Sequence, residues 1–328
     1  MKIFVADAGV FGTAFAIMLA RAGRHEITLL IQPYSQAQKD LYYNLCAGTQ
    51  KTNYLYLPDA EIPENVFFTD TFEAATTADI ILLAVPSKYI WNSFSAVYHR
   101  TKRNPKSALV LLSKGFDNKT SIPLGLAMND FLSNFAVISG PTFARELQSP
   151  YKAHVASCAS YNIGIIKKVK EMLLGSDLRI EGTTDLAGVS WGGCLKNAYA
   201  VGYGICDGLG YSETMLDDYI WRAHKELKVF LDFAGAKEKT YWSPAVWGDL
   251  RITCKGESRN RAFGKFLAEH RAKKDIDEHL KKYTVEGYEA MIALWRLAHE
   301  KGLSAPLLYR IHAISCFGAS PNTILSGN

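Results

Sequence analysis

The sequence predicts an α/β protein of two domains, an N-terminal doubly wound parallel sheet followed by an all-helical C-terminal domain. Two observations in the chain carry this prediction. In the first half, unbroken apolar runs of strand length alternate with helical segments, which is typical of a sheet covered on both faces. From residue 185 onward the apolar residues recur mostly at helical spacing. A chain of 328 residues is long enough for two domains with full cores.

The elements of the first half follow in order. Residues 3–6 form a short apolar strand, residues 13–22 a helix ended by Gly23, and residues 27–31 the next strand. The runs "DIILLAVPS" and "ALVLLSKG" suit central parallel strands, and "FAVISGP" and "KAHVASC" add further strands. We place the domain boundary after residue 183, which gives a first domain of residues 1–183 and a second of residues 184–328.

The first strand leads into the turn "DAGVFG", which resembles the G-x-G-x-x-G code of a dinucleotide site. Gly9 and Gly12 keep two of the three glycines, for close approach to pyrophosphate and for helix packing, but Asp7 replaces the first. Its carboxylate would repel a pyrophosphate, or would instead cap local backbone N–H groups. An ordinary glycine-containing turn is the alternative interpretation.

The end of the second strand does not decide between the two nicotinamide cofactors. An acid there favours NAD, because it binds the ribose 2′-hydroxyl, whereas an arginine favours NADP. This chain has "IQPY" at residues 31–34, with neither charge. The choice between NAD and NADP therefore stays open.

Composition limits the function classes. The net charge of +5 suits anionic small molecules, and no Lys/Arg block is dense enough to predict nucleic-acid binding. The six cysteines include no C-x-x-C pair, which favours a reducing, cytoplasmic setting. We expect no signal peptide, no metal site and no membrane span, since no apolar run reaches the roughly 18 residues that a span needs.

A series of short motifs runs in a fixed order through both halves: DAGVFGTA, VPS, SKG, SGPTFARE, GGCLKN, DGLG, GDL, TC, SRNR and VEG. In this order they resemble the NAD(P)-dependent sn-glycerol-3-phosphate dehydrogenases, from residue 1 to about residue 314. The resemblance implies a Rossmann-type sheet domain and a C-terminal domain with a 6-phosphogluconate-dehydrogenase-like fold. It also implies NAD or NADP as cofactor, a small phosphorylated substrate and a homodimer.

The same resemblance implies roles for individual residues. The catalytic set is Lys196, Lys114, Asp249, Asn197 and Thr253. The substrate contacts are Lys114, Gly140, Thr142, Lys196, Asp249, Ser258, Arg259 and Asn260. The cofactor contacts are Gly9, Val10, Phe11, Gly12, Pro86, Lys114, Ala144, Arg259, Thr284 and Glu286.

The residue types suit the reduction of dihydroxyacetone phosphate. Lys196 would act as the general acid, since a neighbouring cation such as Lys114 favours the neutral form of a lysine. Lys114 would stabilise the developing alkoxide, while Asp249 orients Lys196. Arg259 with Asn260 would hold the phosphate, because the planar fork of arginine matches phosphate oxygens.

The chain also departs from the family pattern. The segment "SETMLDD" at residues 212–218 and the bulky Trp247 both differ from it, near the expected substrate pocket. Two alternatives therefore stand beside the dehydrogenase. One is a family member that has lost turnover and serves as a binding or regulatory protein, and the other is a dehydrogenase for a related phosphorylated hydroxy compound.

Overall fold

A computed structural model describes residues 1–102, 104–117, 119–150 and 153–326 of the protein. The chain forms two compact units. The sheet unit consists of Met1–Ser113 and Met128–Leu186, and the helical unit consists of Lys114–Ala127 and Ala187–Asn328. The segment Lys114–Ala127, which lies inside the predicted first domain, thus belongs to the helical unit.

The sheet unit is built on an eight-stranded sheet with a separate two-stranded ribbon. The strands are β1 (Lys2–Ala6), β2 (Glu26–Leu30), β3 (Thr52–Asn53), β4 (Leu57–Glu61), β5 (Val66–Thr69), β6 (Ile80–Leu83), β7 (Ala108–Leu111), β8 (Phe135–Ser139), β9 (His154–Ala159) and β10 (Leu178–Thr183). The main sheet has the order β10-β9-β8-β7-β6-β1-β2-β5, and β3 pairs with β4. Neighbouring strands of the main sheet are parallel except β8 and β9.

The strand order places the expected ligand edge. β1 lies between β2 and β6, so the chain leaves β1 toward one side of the sheet and later returns on its other side. Ligands of doubly wound sheets bind outside the carboxyl ends of the strands at such a point. Asp7 follows β1 there, and Ser113 ties two neighbouring ends together by donating its hydroxyl proton to the Val85 carbonyl at 2.5 Å.

Helices cover the sheet, and the residues of its central strands β6 and β7 are therefore buried on both faces. The helices up to residue 172 are α1 (Val10–Arg21), α2 (Gln36–Cys46), α3 (Ile90–Thr101), α4 (Leu124–Asn129), α5 (Ala144–Leu147) and α6 (Ile163–Met172). Short 3-10 helices occupy Glu73–Thr77 and Ser87–Tyr89. α1 is buried along most of its length.

The helical unit contains the long helices at the end of the chain. These are α7 (Leu186–Gly208), α8 (Glu213–Phe233), α9 (Glu238–Tyr241), α10 (Asp249–Lys255), α11 (Arg259–Glu269), α12 (Lys273–Lys282), α13 (Glu286–Lys301) and α14 (Pro306–Phe317). A π-helix occupies Pro244–Gly248 and a 3-10 helix Pro321–Thr323. Fully buried aromatic side chains, among them Tyr199, Tyr219 and Phe263, form its core.

A buried carboxylate stabilises this helical core. Glu226 accepts hydrogen bonds from the backbone N–H groups of Leu307 and Leu308, each at 2.8 Å, and from the Tyr199 hydroxyl at 2.9 Å. The two N–H groups belong to the first turn of α14, whose donors have no partner within the helix. Glu226 of α8 therefore joins α7 to α14, and it supplies acceptors for two N–H groups that have none within α14.

The predicted fold class is confirmed, since a mainly parallel sheet precedes a helical second half. Four strands, β3, β4, β5 and β10, were not identified from the sequence, and β8 and β9 pair antiparallel rather than parallel. α1 begins at Val10, earlier than the predicted residue 13, because Gly9 is already the N-cap. In the part of the chain that the structure describes, no helix is both long and apolar enough to cross a membrane.

Candidate active site

Two lysines of the helical unit share one buried carboxylate. Lys196 of α7 donates to Asp249 Oδ1 and Lys114 donates to Asp249 Oδ2, each at 2.5 Å. Lys196 also donates to Thr253 Oγ1 at 2.9 Å, and the Thr253 hydroxyl donates to the Asp249 carbonyl at 2.7 Å, one turn back in α10. The lysine–aspartate cluster, Lys114, Lys196, Asp249 and Thr253, thus brings together four residues of the predicted catalytic set.

Burial gives this cluster unusual electrostatics. The side chain of Asp249 is 1% exposed, that of Lys196 10% and that of Lys114 17%. Burial, together with the positive charge of Lys196, lowers the pKa of Lys114 from 10.5 to about 8, although the Asp249 carboxylate acts in the opposite direction. Lys114, which the sequence analysis considered only as a positive charge, is therefore itself able to release a proton near neutral pH.

A second polar group, the amide network of Asn197, Asn260, Glu286 and Gly287, connects α7, α11 and α13. Asn260 Nδ2 donates to Asn197 Oδ1 at 3.0 Å, and the backbone N–H of Gly287 donates to Asn260 Oδ1 at 2.9 Å. Asn197 Nδ2 lies 3.5 Å from Glu286 Oε2. Burial raises the pKa of the Glu286 carboxyl, and the nearby charges of Arg259, Lys196 and Lys114 oppose this rise.

The motif "SRNR" opens α11 and uses its residues in different ways. Ser258 is the N-cap: its hydroxyl accepts the Arg261 backbone N–H at 3.1 Å and donates to the Thr253 carbonyl at 3.0 Å. Arg259 is exposed in the first turn of the helix, where the helix dipole attracts anions. The sequence predicted Ser258 as a substrate contact, and its observed bonds are those of a helix cap.

The second arginine of this motif stabilises the segment before the helix. Arg261 pairs with the Asp207 carboxylate at 2.7 Å and donates to the carbonyl of Lys255 at 2.5 Å, while its guanidinium lies over the Tyr203 ring. These contacts hold the end of α10 close to the end of α7. Nothing in the local sequence distinguishes Arg261 from Arg259, so only the fold separates their surroundings.

In the sheet unit, the glycine turn joins β1 to α1. Asp7 has φ 114°, a left-handed backbone conformation that favours glycine and costs other residues about 1–3 kcal/mol. A side chain on Gly12 would collide with the Asp7 carbonyl, so the helix approaches the turn this closely only with glycine there. Gly12 therefore keeps the packing role that the sequence predicted.

The carboxyl group of Asp7 lies over the following residue. It accepts a hydrogen bond from the backbone N–H of Gly9, and burial raises its pKa from 3.8 to about 6 despite this bond. A Cβ on Gly9 would lie only 2.7 Å from Asp7 Oδ2. Of the two orientations considered from the sequence, the structure has the one in which the side chain caps a local N–H group.

Asn53, which the sequence analysis missed, supports the same turn. It is fully buried and donates to the Ala8 carbonyl at 2.7 Å and to Thr13 Oγ1 at 2.8 Å. The Thr13 hydroxyl donates in turn to the same carbonyl at 3.1 Å. Because Asn53 comes from the distant ribbon strand β3, no spacing in the sequence connects it with the glycine turn.

The remaining predicted contacts fall into two groups. In the sheet unit, Val10 and Phe11 form the first turn of α1, and Pro86 and Gly140 follow β6 and β8. Ala144 opens α5, which packs against α1, and the Thr142 N–H donates to the Gly140 carbonyl at 2.9 Å. In the helical unit, Thr284 is exposed just before α13.

Within the described residues, no group of three or more His, Cys, Asp or Glu side chains is arranged to hold a metal ion. The polar constellations are therefore the lysine–aspartate cluster and the amide network in the helical unit, and the glycine turn in the sheet unit. The first offers protons and positive charge in a buried setting. The last offers the backbone N–H groups of a helix N-terminus, which suit a phosphate.

The chain is similar in sequence to known dehydrogenases of one family. Residues 2–163 match the family described as NAD-dependent glycerol-3-phosphate dehydrogenase N-terminus, and residues 185–326 match its C-terminus. The chain is 32% identical to the glycerol-3-phosphate dehydrogenase (NAD(P)+) of Bartonella tribocorum, covering 98% of this chain and 96% of that one. It is 30% identical to that of Koribacter versatilis, covering 98% and 94%.

A solved structure is similar over almost the whole chain. The glycerol-3-phosphate dehydrogenase of Coxiella burnetii superimposes with a TM-score of 0.84 at 29% identity, covering 98% of this chain and 97% of that one.

Proposed function

The chain belongs to the NAD-dependent glycerol-3-phosphate dehydrogenase family, and from this premise we propose that it interconverts sn-glycerol 3-phosphate and dihydroxyacetone phosphate with NAD or NADP. The observation that carries the proposal is the buried cluster in which Lys114 and Lys196 share the Asp249 carboxylate. Reduction of a ketone needs a proton donor and a positive charge beside the same oxygen, and this cluster holds both.

Each member of the cluster has a separate task. Lys196 gives the proton to the substrate oxygen during reduction and takes it back during oxidation. Lys114 stabilises the negative charge that develops on that oxygen, and its pKa of about 8 means that it exchanges protons near neutral pH. Asp249 and Thr253 fix the position of the Lys196 ammonium group through bonds of 2.5 and 2.9 Å.

Arg259 is the proposed phosphate ligand. It is exposed in the first turn of α11, where its guanidinium and the N-terminal end of the helix dipole both favour an anion. The positive charges of Arg259, Lys196 and Lys114 all act on the Glu286 carboxyl, so the two lysines lie near Arg259. A substrate with a phosphate at one end and an oxygen to be protonated at the other suits this distribution of charge.

The glycine turn is the proposed site for the cofactor pyrophosphate. The N-terminal N–H groups of α1, at Val10, Phe11 and Gly12, have no acceptor within the helix and can bind phosphate oxygens. The Asp7 carboxyl is unfavourable for this site, because its ionised form would repel the pyrophosphate. When bound, the nicotinamide supplies or accepts the hydride. Pro86, Ala144, Thr284 and Glu286 remain proposed cofactor contacts.

A cofactor-oxidation assay tests the proposal. Dihydroxyacetone phosphate is supplied with NADH and with NADPH in parallel, and unphosphorylated dihydroxyacetone serves as the matched control substrate. We expect turnover that depends on the phosphate. Cofactor binding without turnover on any phosphorylated ketone would instead support a family member that acts as a binding protein, and turnover only on a related compound would correct the substrate.

Two finer statements belong to the same proposal. We propose that the protein is a homodimer, as the resemblance to the family implies, which light scattering during gel filtration measures directly. We also propose a cytoplasmic location. All six cysteines are free thiols, which is typical of a reducing compartment.

A further inference from the structure

We propose that Asn260 is a positioning residue, which fixes the side-chain amide of Asn197 so that an N–H group faces the substrate and the carbonyl oxygen does not. The inference rests on the proposed function, because it concerns the substrate oxygen of the same reaction. It differs from the sequence prediction, in which Asn260 holds the phosphate.

The orientation of Asn260 is determined by the backbone. The Gly287 N–H can only donate, so the atom of Asn260 that lies 2.9 Å from it must be the oxygen. The amide nitrogen therefore lies on the other side and donates to Asn197 at 3.0 Å. A rotated Asn260 would oppose donor to donor at Gly287, in a place where both asparagines are at most 7% exposed.

This orientation passes on to Asn197. Its oxygen accepts from Asn260, so its nitrogen lies on the opposite side, at 3.5 Å from Glu286 Oε2. Among the residues that the structure describes, no acceptor is seen for the second N–H of this nitrogen. Glu286, which lies 3.5 Å from this nitrogen, is close enough to be affected by the charges of Lys196 and Lys114, so the nitrogen lies near the lysine–aspartate cluster. An N–H donor beside the proton-giving lysine suits a substrate oxygen, above all one that gains negative charge.

The amide network needs a glycine at position 287, because no side chain fits there. A Cβ at this position would lie 2.9 Å from Asn260 Oδ1 and would collide with the carbonyl of Asn197. Any side chain would therefore push Asn260 away from the N–H that orients it. The glycine of the motif "VEG" thus provides the backbone N–H donor that sets the orientation of both asparagine amides.

A double-mutant cycle tests the inference. Asn260→Asp keeps an acceptor for Gly287 but places a second oxygen against Asn197, whose amide must then turn its oxygen away and lose the substrate donor. We expect kcat to fall about 10- to 100-fold in the parent protein, in line with a lost buried hydrogen bond. In an Asn197→Ala background the same change should cost less than about threefold, because there is no amide left to orient.

The alternatives give other results. If Asn260 holds the phosphate directly, or serves only the fold, its replacement costs the same factor in both backgrounds, and the inference is wrong. A phosphate ligand would also raise KM for the phosphorylated substrate and leave unphosphorylated dihydroxyacetone unaffected. Asn65→Asp is the matched control, since Asn65 donates to a backbone carbonyl in the sheet unit and should leave kcat unchanged.

Two further measurements keep the outcomes separate. If Asn260→Asp does not fold, as a thermal melt would reveal, Asn260→Ser replaces it in the same cycle. If the parent protein has no turnover, the proposed function fails, and the cycle is then measured from the Kd of sn-glycerol 3-phosphate by calorimetry. Additive losses of affinity, or no affinity in the parent, would overturn the positioning role as well.

Discussion

Replacing Asp7 with glycine should tighten the binding of the dinucleotide. The Asp7 carboxyl accepts a hydrogen bond from the backbone N–H of Gly9. Gly9 is the N-cap of α1, where we propose that the pyrophosphate binds. At pH 8 this carboxyl is ionised, since its pKa is about 6. Removing a partly screened negative charge should gain about 1–2 kcal/mol, which corresponds to about 5- to 30-fold in Kd.

The assay is a calorimetric titration with NAD+ at pH 8 and pH 5, in low and high salt. Below pH 6 the parent Asp7 is mostly protonated, so the advantage of Asp7→Gly should shrink at pH 5, and it should also shrink in high salt. Asp7→Asn is the matched control: it keeps a side chain at φ 114° but carries no charge, and it should keep most of the gain. An equal gain at both pH values would refute the electrostatic reasoning.

Thermal unfolding of the same variants gives a result that does not need the cofactor. Because the folded protein raises the pKa of Asp7 from 3.8 to about 6, the ionised form is disfavoured in the folded state. The stability that this group contributes is therefore complete below about pH 4 and is lost as the pH rises through 6. We expect Asp7→Gly to gain in Tm over the parent between pH 4 and pH 7. A constant difference in Tm would show that only backbone strain is relieved.

The remaining predictions concern the helical unit. Lys196→Ala should lower kcat by about 100-fold or more, the usual scale for a lost general acid, with NAD+ affinity unchanged; Lys274→Ala, on an exposed lysine, is the control, and near-normal turnover would remove the mechanism. Arg259→Ala should lower kcat/KM for dihydroxyacetone phosphate by about 30- to 1,000-fold. The loss should be small for unphosphorylated dihydroxyacetone, and equal losses would assign Arg259 to the fold. The kcat/KM for ketone reduction should fall as the pH rises through about 8, where Lys114 of the free protein loses its proton, and Lys114→Arg should move this fall to higher pH.

The sequence predicts the central sheet well because buried parallel strands such as β6 and β7 are unbroken apolar runs. The edge strand β10 was missed although its sequence "LRIEGT" alternates between buried and exposed residues, because charged residues and Gly182 interrupt its apolar run, and its pairing with β9 is known only from the fold. Whether a strand forms at the edge of a sheet depends on tertiary pairing, which its local sequence does not show.

The candidate site was predicted as a set of residues, not as a set of contacts. The order of motifs selects Lys114 and Asp249, but their bond joins positions 135 residues apart. The lowered pKa of Lys114 depends on burial by helices that the motif does not contain. The direction of the Asn260 amide likewise depends on the Gly287 N–H, 27 residues away. Sequence patterns identify chemical groups, whereas burial and orientation come from packing across the chain.

The charges of the helical site explain why a phosphorylated substrate suits it. Lys114 and Lys196 carry two positive charges against the single carboxylate of Asp249, and Arg259 adds another nearby. A phosphate monoester brings close to two negative charges at neutral pH. Its arrival would favour the charged form of Lys114, whose pKa burial lowers to about 8. The group that identifies the substrate would therefore also help to keep the site protonated, which an unphosphorylated ketone cannot do.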